Sequence, residues 1–226
     1  MIVPSESTKH DLSSEYNIHP DTITVIHSGI RAPEYSGNIR ENVQECVNSP
    51  YIFWIGRKEL RKNIERIVET FEAVKQEHPD LRLILAGSEG YGYKDISRRI
   101  QDSSYREDII ELGRVSESEK AFLYQHAEVF LFPSWYEGFG YPVLEAFAHG
   151  VPVIAAEASS LPELVGDAGI TLPIEGERCH TLWVRATQNL IQNPSRKAYW
   201  RDKGFVRLQD FSFEKAVQKT CRVLGE

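Results

Sequence analysis

Six short runs of mostly apolar residues divide the middle of this sequence, and most of them close on a glycine or a proline. They span residues 51–55, 81–86, 109–113, 129–132, 151–155 and 170–172. Runs that are apolar throughout, rather than alternating, are typical of strands buried on both faces of a sheet. Helical patterns lie between them, such as the apolar residues spaced by three and four from Ile64 to Val74. This alternation predicts an α/β fold, a Rossmann-like doubly wound parallel sheet of about six strands.

The two ends of the 226-residue chain depart from this alternation. Residues 1–30 contain one helix candidate, 5–16 with Ser5 or Ser7 as its cap, and one strand candidate, 23–26. Residues 31–49 are polar and punctuated by proline and glycine, which predicts a linker. The Rossmann-like domain is then expected over 50–204, followed by a final amphipathic helix within 205–226.

Composition argues against several classes of function. Lys and Arg total 26 against 33 Asp and Glu, so the net charge of −7 does not suit a general nucleic-acid binder. The three cysteines are scattered without a C-x-x-C pair, and no H-E-x-x-H is present, so no dedicated metal site is expected. No apolar run approaches the ~20 residues of a membrane span, and residues 1–5 do not resemble a signal peptide. A cytoplasmic protein is expected.

The loop after the fourth apolar run carries the strongest functional pattern. In an open parallel sheet, ligands bind beyond the carboxyl ends of the strands. Gly138 and Gly140 allow a ligand close to the backbone, and Pro142 suits the start of a helix whose N–H groups favour phosphate. Glu137 and Glu145 can accept hydrogen bonds from pairs of sugar hydroxyls. Taken alone, Glu145 is better explained as a surface residue favoured by the helix dipole and Glu137 as an ordinary loop residue. Together, with two glycines after a buried strand, they indicate a nucleotide-sugar site.

Neighbouring loops add weaker signals. Four cations follow the first run within six residues: Arg57, Lys58, Arg61 and Lys62. Such a cluster can neutralise a diphosphate, or it can be a solvated basic turn. The backbone at residues 113–115 could read a base edge or form a plain turn. The glycines of 87–92 match neither a dinucleotide fingerprint nor a P-loop, and no D-x-D is present, so a metal-chelated diphosphate is not expected.

With these loops placed, the sequence resembles the retaining family 4 glycosyltransferases of the GT-B fold over nearly its whole length. The most specific element is E-x7-E, formed here by Glu137 and Glu145 in EGFGYPVLE. Around it, residues 131–169 are similar to the family pattern throughout. IGRKELRKN at 55–63 resembles the family's G-R-x4-K element, and residues 111–134 resemble the stretch that precedes E-x7-E.

The resemblance implies a role for each matching residue. Arg57 and Lys62 would hold the diphosphate and, with Glu137 at the hydroxyls of the transferred sugar, form the catalytic set. Glu145 would hold the ribose hydroxyls. The other implied nucleotide-sugar contacts are Gly56, Arg114, Val115, Ser134, Gly138, Phe139, Gly140 and Tyr141. Val115 and Arg114 would lie near the base through main-chain contacts. The implied reaction is hexose transfer with retention, without a metal or other cofactor.

The resemblance covers one half of the family's architecture. Members have two Rossmann-like domains with the donor between them, and this sequence is similar to the second domain and, over residues 1–30, to the end of the first. Where the family reads N-G and then Asp, Ser28, Gly29 and Arg31 stand here. The implied protein is a donor-binding half that transfers poorly without a first domain or a partner subunit. The helix at 213–224 resembles the one that crosses back, and the apolar surface facing the absent half is a candidate for self-association.

Several questions stay open from the sequence. The nucleotide of the donor can be UDP or GDP, and the acceptor can be a glycan or a lipid-linked sugar. A setting such as polysaccharide assembly at the inner membrane face is compatible with the resemblance. Alternatives are a related epimerase or phosphorylase, a non-catalytic nucleotide-sugar sensor or recruiting subunit, and a dinucleotide-dependent dehydrogenase. The glycine spacing at 87–92 argues against the dehydrogenase.

Overall fold

Strands and helices alternate through most of the computed structural model, which describes residues 1–30 and 37–225. The strands of these residues are β1 (Ile2–Val3), β2 (Thr24–Val25), β3 (Tyr51–Ile55), β4 (Arg82–Ala86), β5 (Ile109–Gly113), β6 (Val129–Phe132), β7 (Val153–Ala156) and β8 (Ile170–Leu172). The α-helices are α1 (Glu6–Tyr16), α2 (Glu41–Gln44), α3 (Ile64–Lys75), α4 (Tyr93–Gln101), α5 (Glu117–His126), α6 (Tyr141–Ala148), α7 (Leu161–Val165), α8 (Cys179–Gln192), α9 (Pro194–Leu208) and α10 (Phe213–Leu224).

Six strands form one parallel sheet in the order β5-β4-β3-β6-β7-β8. The first strand of this sheet, β3, lies at its centre. The next two strands are added outward to β5, and the chain then crosses to β6, beside β3, and adds β7 and β8 outward on the other side. Right-handed crossovers therefore place α3 and α4 on one face and α5, α6 and α7 on the other, and α8 packs beside α3. The predicted doubly wound α/β sheet is confirmed, and each of the six apolar runs overlaps one of its strands.

The core lies on both faces of this sheet, which explains why the runs are mostly apolar. Trp54 and Phe53 of β3 are fully buried, as are Phe130 and Phe132 of β6. The Phe53 and Tyr124 rings meet edge to face with centroids 5.0 Å apart. Burying a side chain of this size contributes roughly 2–3 kcal/mol relative to exposing it. The central strands thus fix the sheet whose carboxyl edge carries the loops of interest.

The first 30 residues form a small β1–α1–β2 unit against that edge. Ser5 caps α1 by accepting from the Thr8 amide, as the sequence predicts. The predicted strand at 23–26 is present as β2, and β1 pairs with it in parallel. The two-residue β1 was not expected, because so short a run has no readable periodicity.

Residues 37–49, expected to be linker, contain helical structure. α2 is followed by a 3-10 turn over Glu45–Asn48. Val43 and Cys46 are buried in the main core, which holds this segment against the domain despite its polar composition. The rest of the expected linker, residues 31–36 with Arg31, lies outside the described residues.

The C-terminal part is helical, as the sequence indicates. The expected boundary at 204/205 falls inside α9, which continues to Leu208, and the final helix begins at Phe213. The Ile30 amide donates to the Phe211 carbonyl at 2.9 Å, so the start of the C-terminal segment is joined to the end of the first 30 residues. Among the helices of the described ranges, none is both long and apolar enough to span a membrane.

Candidate functional site

A groove of about 340 Å³ opens at the carboxyl edge of the sheet, between the ends of β3, β4 and β5 and the starts of α5 and α6. It is lined by Ile55, Gly56, Arg57, Gly87, Ser88, Arg114, Val115, Glu117, Lys120, Pro142 and Glu145. Five of the residues singled out from sequence are therefore brought together here: Gly56, Arg57, Arg114, Val115 and Glu145. They come from three separate segments of the chain, which meet because parallel strands end at a common edge.

Glu145 is held in a fixed orientation on the wall of this groove. Its Oε1 lies 2.6 Å from Lys120 Nζ, and its Oε2 accepts from the Tyr124 hydroxyl at 3.2 Å. Burial first, and then the Glu145 charge, raise the pKa of Tyr124 well above its ordinary value, so it stays a donor. Burial would lower the pKa of Lys120, but its hydrogen bonds to Glu117 and Glu145 outweigh that effect and raise it. The carboxylate thus faces the groove with fixed partners behind it.

The loop after β3 presents Arg57 and buries its neighbour. The Arg57 side chain is 65% exposed, and its Nε lies 3.3 Å from Glu59 Oε1. Lys58 is buried instead, with Nζ 2.6 Å from Glu111 Oε2, an oxygen that also accepts from the Tyr93 hydroxyl at 3.1 Å. This buried cluster ties the loop to β5. Of two adjacent cations, one anchors the loop and the other remains available to an anion in the groove.

Glu137 and Lys62 form a buried ion pair outside the lining of that groove. Glu137 Oε1 lies 2.5 Å from Lys62 Nζ, and Arg61 Nη1 approaches Glu137 Oε2 at 3.2 Å. Burial lowers the pKa of Lys62, and the Glu137 carboxylate opposes this effect. The structure therefore brings together two residues that the sequence separates by 75 positions.

The glycine loop between Glu137 and α6 is tied down by hydroxyl groups. The Gly138 carbonyl accepts from Ser5 Oγ at 2.8 Å and from Thr8 Oγ1 at 3.2 Å. Ser160 Oγ lies 2.9 Å from the Glu137 carbonyl and 2.6 Å from that of Phe139. Gly140 has a φ of 112°, a backbone conformation that favours glycine, at the residue before α6. The loop is thus preorganised by α1 and by the start of α7.

The remaining predicted contacts do not line the groove. Ser134 is fully buried, and Phe139 lies in the core with its ring near those of His27 and Phe211. Tyr141 is half exposed and lines a different groove, beside α10. The described ranges hold no group of three or more His, Cys, Asp or Glu placed to bind a metal ion.

Several site residues carry no signal in the sequence. Lys120 and Tyr124 lie on α5, whose sequence pattern predicts only an ordinary capped helix. Both side chains nevertheless orient Glu145. Ser5 and Thr8 reach the glycine loop from the other end of the chain. Lys58 is visible in the sequence as one of four cations after β3, but nothing there indicates that it is buried while Arg57 is exposed.

Arg40 fixes the loop that holds Arg114 and Val115. Its Nε lies 2.5 Å from Glu119 Oε1, and its Nη2 donates to the Arg114 carbonyl at 3.1 Å. Glu119 also closes a capping box with Ser116 at the start of α5. The hydrogen bond from Arg40, with help from backbone amides, lowers the pKa of Glu119 from 4.5 to about 2 against the opposing effect of burial.

We expect the Glu119→Gln variant to lose about 2 kcal/mol of unfolding free energy at pH 7. The native pKa is depressed, so the ionised carboxylate stabilises the fold above about 4.5 and loses this effect as the pH falls toward about 2. Urea unfolding at pH 7 and pH 3 should therefore show a smaller difference between variant and wild type at pH 3. Glu107→Gln, at an exposed glutamate, is the control. If the stability difference between the Glu119→Gln variant and the wild type did not depend on pH, the depressed pKa of Glu119 would be contradicted.

The structure is thus an α/β domain with a groove at the carboxyl edge of its parallel sheet, and it has the architecture of GT-B glycosyltransferases. The family described as "Glycosyl transferases group 1" matches residues 36–207, well over half of the sequence. The chain belongs to this family.

Individual relatives agree with this assignment. O-antigen chain mannosyltransferase B of Escherichia coli is 33% identical over 175 residues, which cover 75% of this chain and 44% of that protein. HepE of Anabaena, solved with UDP and glucose, is similar in structure with a TM-score of 0.82 at 18% identity, over 99% of this chain and 62% of that one. TarM of S. aureus, solved as a mutant with Fondaparinux, alpha-GlcNAc-glycerol and UDP, gives 0.81 at 17% identity, over 100% and 43%. The chain spans about half the length of the curated relatives it matches.

Proposed function

We propose that this chain is the donor-binding half of a retaining glycosyltransferase, which transfers a hexose from a UDP- or GDP-linked sugar to a glycan or lipid-linked acceptor. The observation that carries the proposal is the groove itself. It places an oriented carboxylate, Glu145, beside an available guanidinium, Arg57, at the carboxyl edge of a parallel sheet. A ribose diol and a diphosphate are the ligand groups that this pair of side chains suits.

The arrangement supports a division of roles along the donor. Glu145 would accept from the two ribose hydroxyls, and the main chain at Val115 would face the base. Arg57, with the Gly56 backbone, would hold the diphosphate. Lys62 has three donor hydrogens, so its ammonium can keep Glu137 and still donate to the departing phosphate. Side-chain cations would then stabilise the leaving group, and neither a metal nor another cofactor is needed for that role.

Glu137 is proposed to hold hydroxyls of the transferred sugar. It is anchored on one side by Lys62 and Arg61, and its own carbonyl accepts from Ser160. A carboxylate fixed in this way can orient a sugar ring without rearranging, which is how a preorganised site lowers a barrier. HepE and TarM, which were solved with UDP, share the fold that carries this loop. We further propose a setting such as assembly of surface polysaccharide in the cytoplasm, at or near a membrane face. The support for this setting is that two relatives are named as O-antigen chain mannosyltransferases.

Calorimetric titration with UDP, GDP and their hexose conjugates tests the proposal. We expect one of the two nucleotides to bind, and its sugar conjugate to bind at least as tightly. Glu145→Ala and Arg57→Ala should each weaken binding by about 10- to 100-fold, since each removes a hydrogen-bonded partner of the ligand, worth about 1.5–3 kcal/mol when charged. EDTA should leave the titration unchanged.

Arg185→Ala serves as the matched control, because Arg185 is exposed on α8, away from the groove. The proposed function would be contradicted if the wild-type chain bound none of these nucleotides, or if the Glu145→Ala and Arg57→Ala variants bound as tightly as the wild type. Hexose transfer by this chain to an added acceptor would contradict only the expectation that transfer needs the other half.

A further inference from the structure

Trp135 is the most exposed of the four tryptophans and lies in the loop that leads to Glu137. Its exposed fraction is 42%, whereas Trp54 and Trp183 are fully buried. Its backbone amide donates to the Arg61 carbonyl at 2.8 Å, and Arg61 also contacts Glu137. A large aromatic side chain is thus held at the surface by a backbone anchored next to the proposed sugar position.

Two grooves meet at this side chain. One, of about 390 Å³, extends toward the starts of α3 and α4 and is lined on its polar side by Glu65 and Asp95. The other, of about 360 Å³, extends toward the ends of β7 and β8 and includes Glu157 and Glu175. Trp135 belongs to the lining of both. It therefore stands between two shallow depressions, each with exposed carboxylates on its rim.

These grooves lie across the sheet edge from the nucleotide groove. The nucleotide groove opens toward α5 and α6, whereas the larger Trp135 groove opens toward α3 and α4, on the opposite face. The loop 133–137 crosses between the two sides, with Glu137 two residues from Trp135. An oligosaccharide whose end lies near Glu137 could therefore extend over Trp135 without entering the nucleotide groove.

The chemistry of the surface selects a class of ligand. An aromatic face packs against the apolar face of a ring, and carboxylates accept hydrogen bonds from its hydroxyls. Arg99 also lines the larger groove, but its guanidinium is engaged by both oxygens of Glu72, at 3.0 and 2.6 Å. The surface is therefore rich in acceptors, and an anionic ligand would be repelled by it.

We propose that Trp135 is the platform of an acceptor subsite for a neutral oligosaccharide. This inference rests on the proposed function, because it supplies the glycan to which the donor sugar would be transferred. It places part of the acceptor site on this half of the enzyme.

Maltotriose and mannotriose are suitable neutral probes, and trigalacturonate is the anionic comparison. Titration should change the fluorescence of the exposed tryptophan at millimolar concentrations of a neutral trisaccharide, and trigalacturonate should bind at least about tenfold more weakly. Trp135→Ala should lower the affinity for the neutral probe by about tenfold, read by saturation-transfer NMR on the ligand. Trp135→Phe, which keeps an aromatic face, should retain most of the binding.

Tyr199→Ala removes an exposed aromatic residue on α9 and should leave trisaccharide binding unchanged. Equal binding by wild type and Trp135→Ala, stronger binding of trigalacturonate, or no saturation transfer from either neutral probe would overturn the inference. Failure of the proposed function is a different result, since it shows as loss of UDP and GDP binding in the wild-type chain.

Discussion

Replacing Gly87 with alanine is expected to lower the free energy of unfolding by about 4 kcal/mol. Gly87 has a φ of 118°, and a Cβ placed there would lie 1.9 Å from the Gly56 carbonyl oxygen. Both atoms in conflict belong to, or are fixed by, the backbone at the ends of β3 and β4. The alanine can be accommodated only by moving the Gly56–Arg57 loop, so nucleotide binding should fall together with stability. Urea unfolding followed by circular dichroism, with UDP or GDP titration in parallel, measures both effects.

Gly138→Ala is the matched control for stability. A Cβ at Gly138 meets no atom within 4 Å, and its φ is not in the left-handed range. The variant should therefore unfold at nearly the same urea concentration as the wild type, whatever it does to ligand binding. Equal stability of the Gly87 and Gly138 variants would show that the two strand ends do not approach each other as closely as described.

Glu137→Gln is expected to lower the free energy of unfolding by about 3 kcal/mol. Lys62 is only 7% exposed, and glutamine would leave its ammonium buried without a compensating charge. Adding Lys62→Met to Glu137→Gln should recover most of the loss, because a buried pair replaced by neutral groups removes the desolvation penalty along with the attraction. Urea unfolding of the wild type, both single variants and the double variant gives the coupling energy.

The ion pair between Lys203 and Asp167 makes this test specific to burial. The Lys203 Nζ and Asp167 Oδ2 atoms lie 2.6 Å apart, almost the distance of the Lys62–Glu137 pair, but the Asp167 side chain is 78% exposed and that of Lys203 is 36% exposed. Asp167→Asn should therefore change stability little, since solvent screens the exposed charges. A loss as large as that of Glu137→Gln would mean that burial does not decide the energy of these pairs.

The central sheet could be predicted from sequence because its signal is local. Residues 51–55 and 129–132 are apolar throughout and end at Gly56 and Pro133, so both the strands and their ends are readable. Residues 37–49 were harder, because two buried side chains, Val43 and Cys46, attach an otherwise polar segment to the core. A packing contact made by two residues leaves no periodic pattern.

The site residues also differ in whether a local sequence pattern could predict them. Arg57 and Glu145 could be placed in one groove because Arg57 lies just after a predicted strand and Glu145 lies near the start of a predicted helix at the same sheet edge. Lys120 could not, because its distance from Glu145 depends on how α5 and α6 lie on the sheet, which no local pattern encodes. The sequence similarly identifies Ser134 and Phe139 as part of the glycine loop but does not indicate that the fold buries both.

The hydroxyls of Ser5 and Thr8 on the Gly138 carbonyl have a consequence for motion. Asp11, also on α1, accepts from the Tyr136 hydroxyl at 2.8 Å, so the helix holds the loop at two points on either side of Glu137. The loop cannot lift from the sheet edge without breaking contacts to α1. Opening of the loop and loosening of the helix should therefore be a single cooperative event, with amides in both exchanging hydrogen at a common rate. A ligand that closes over Glu137 would then slow exchange in the first turns of α1, a region that it never touches.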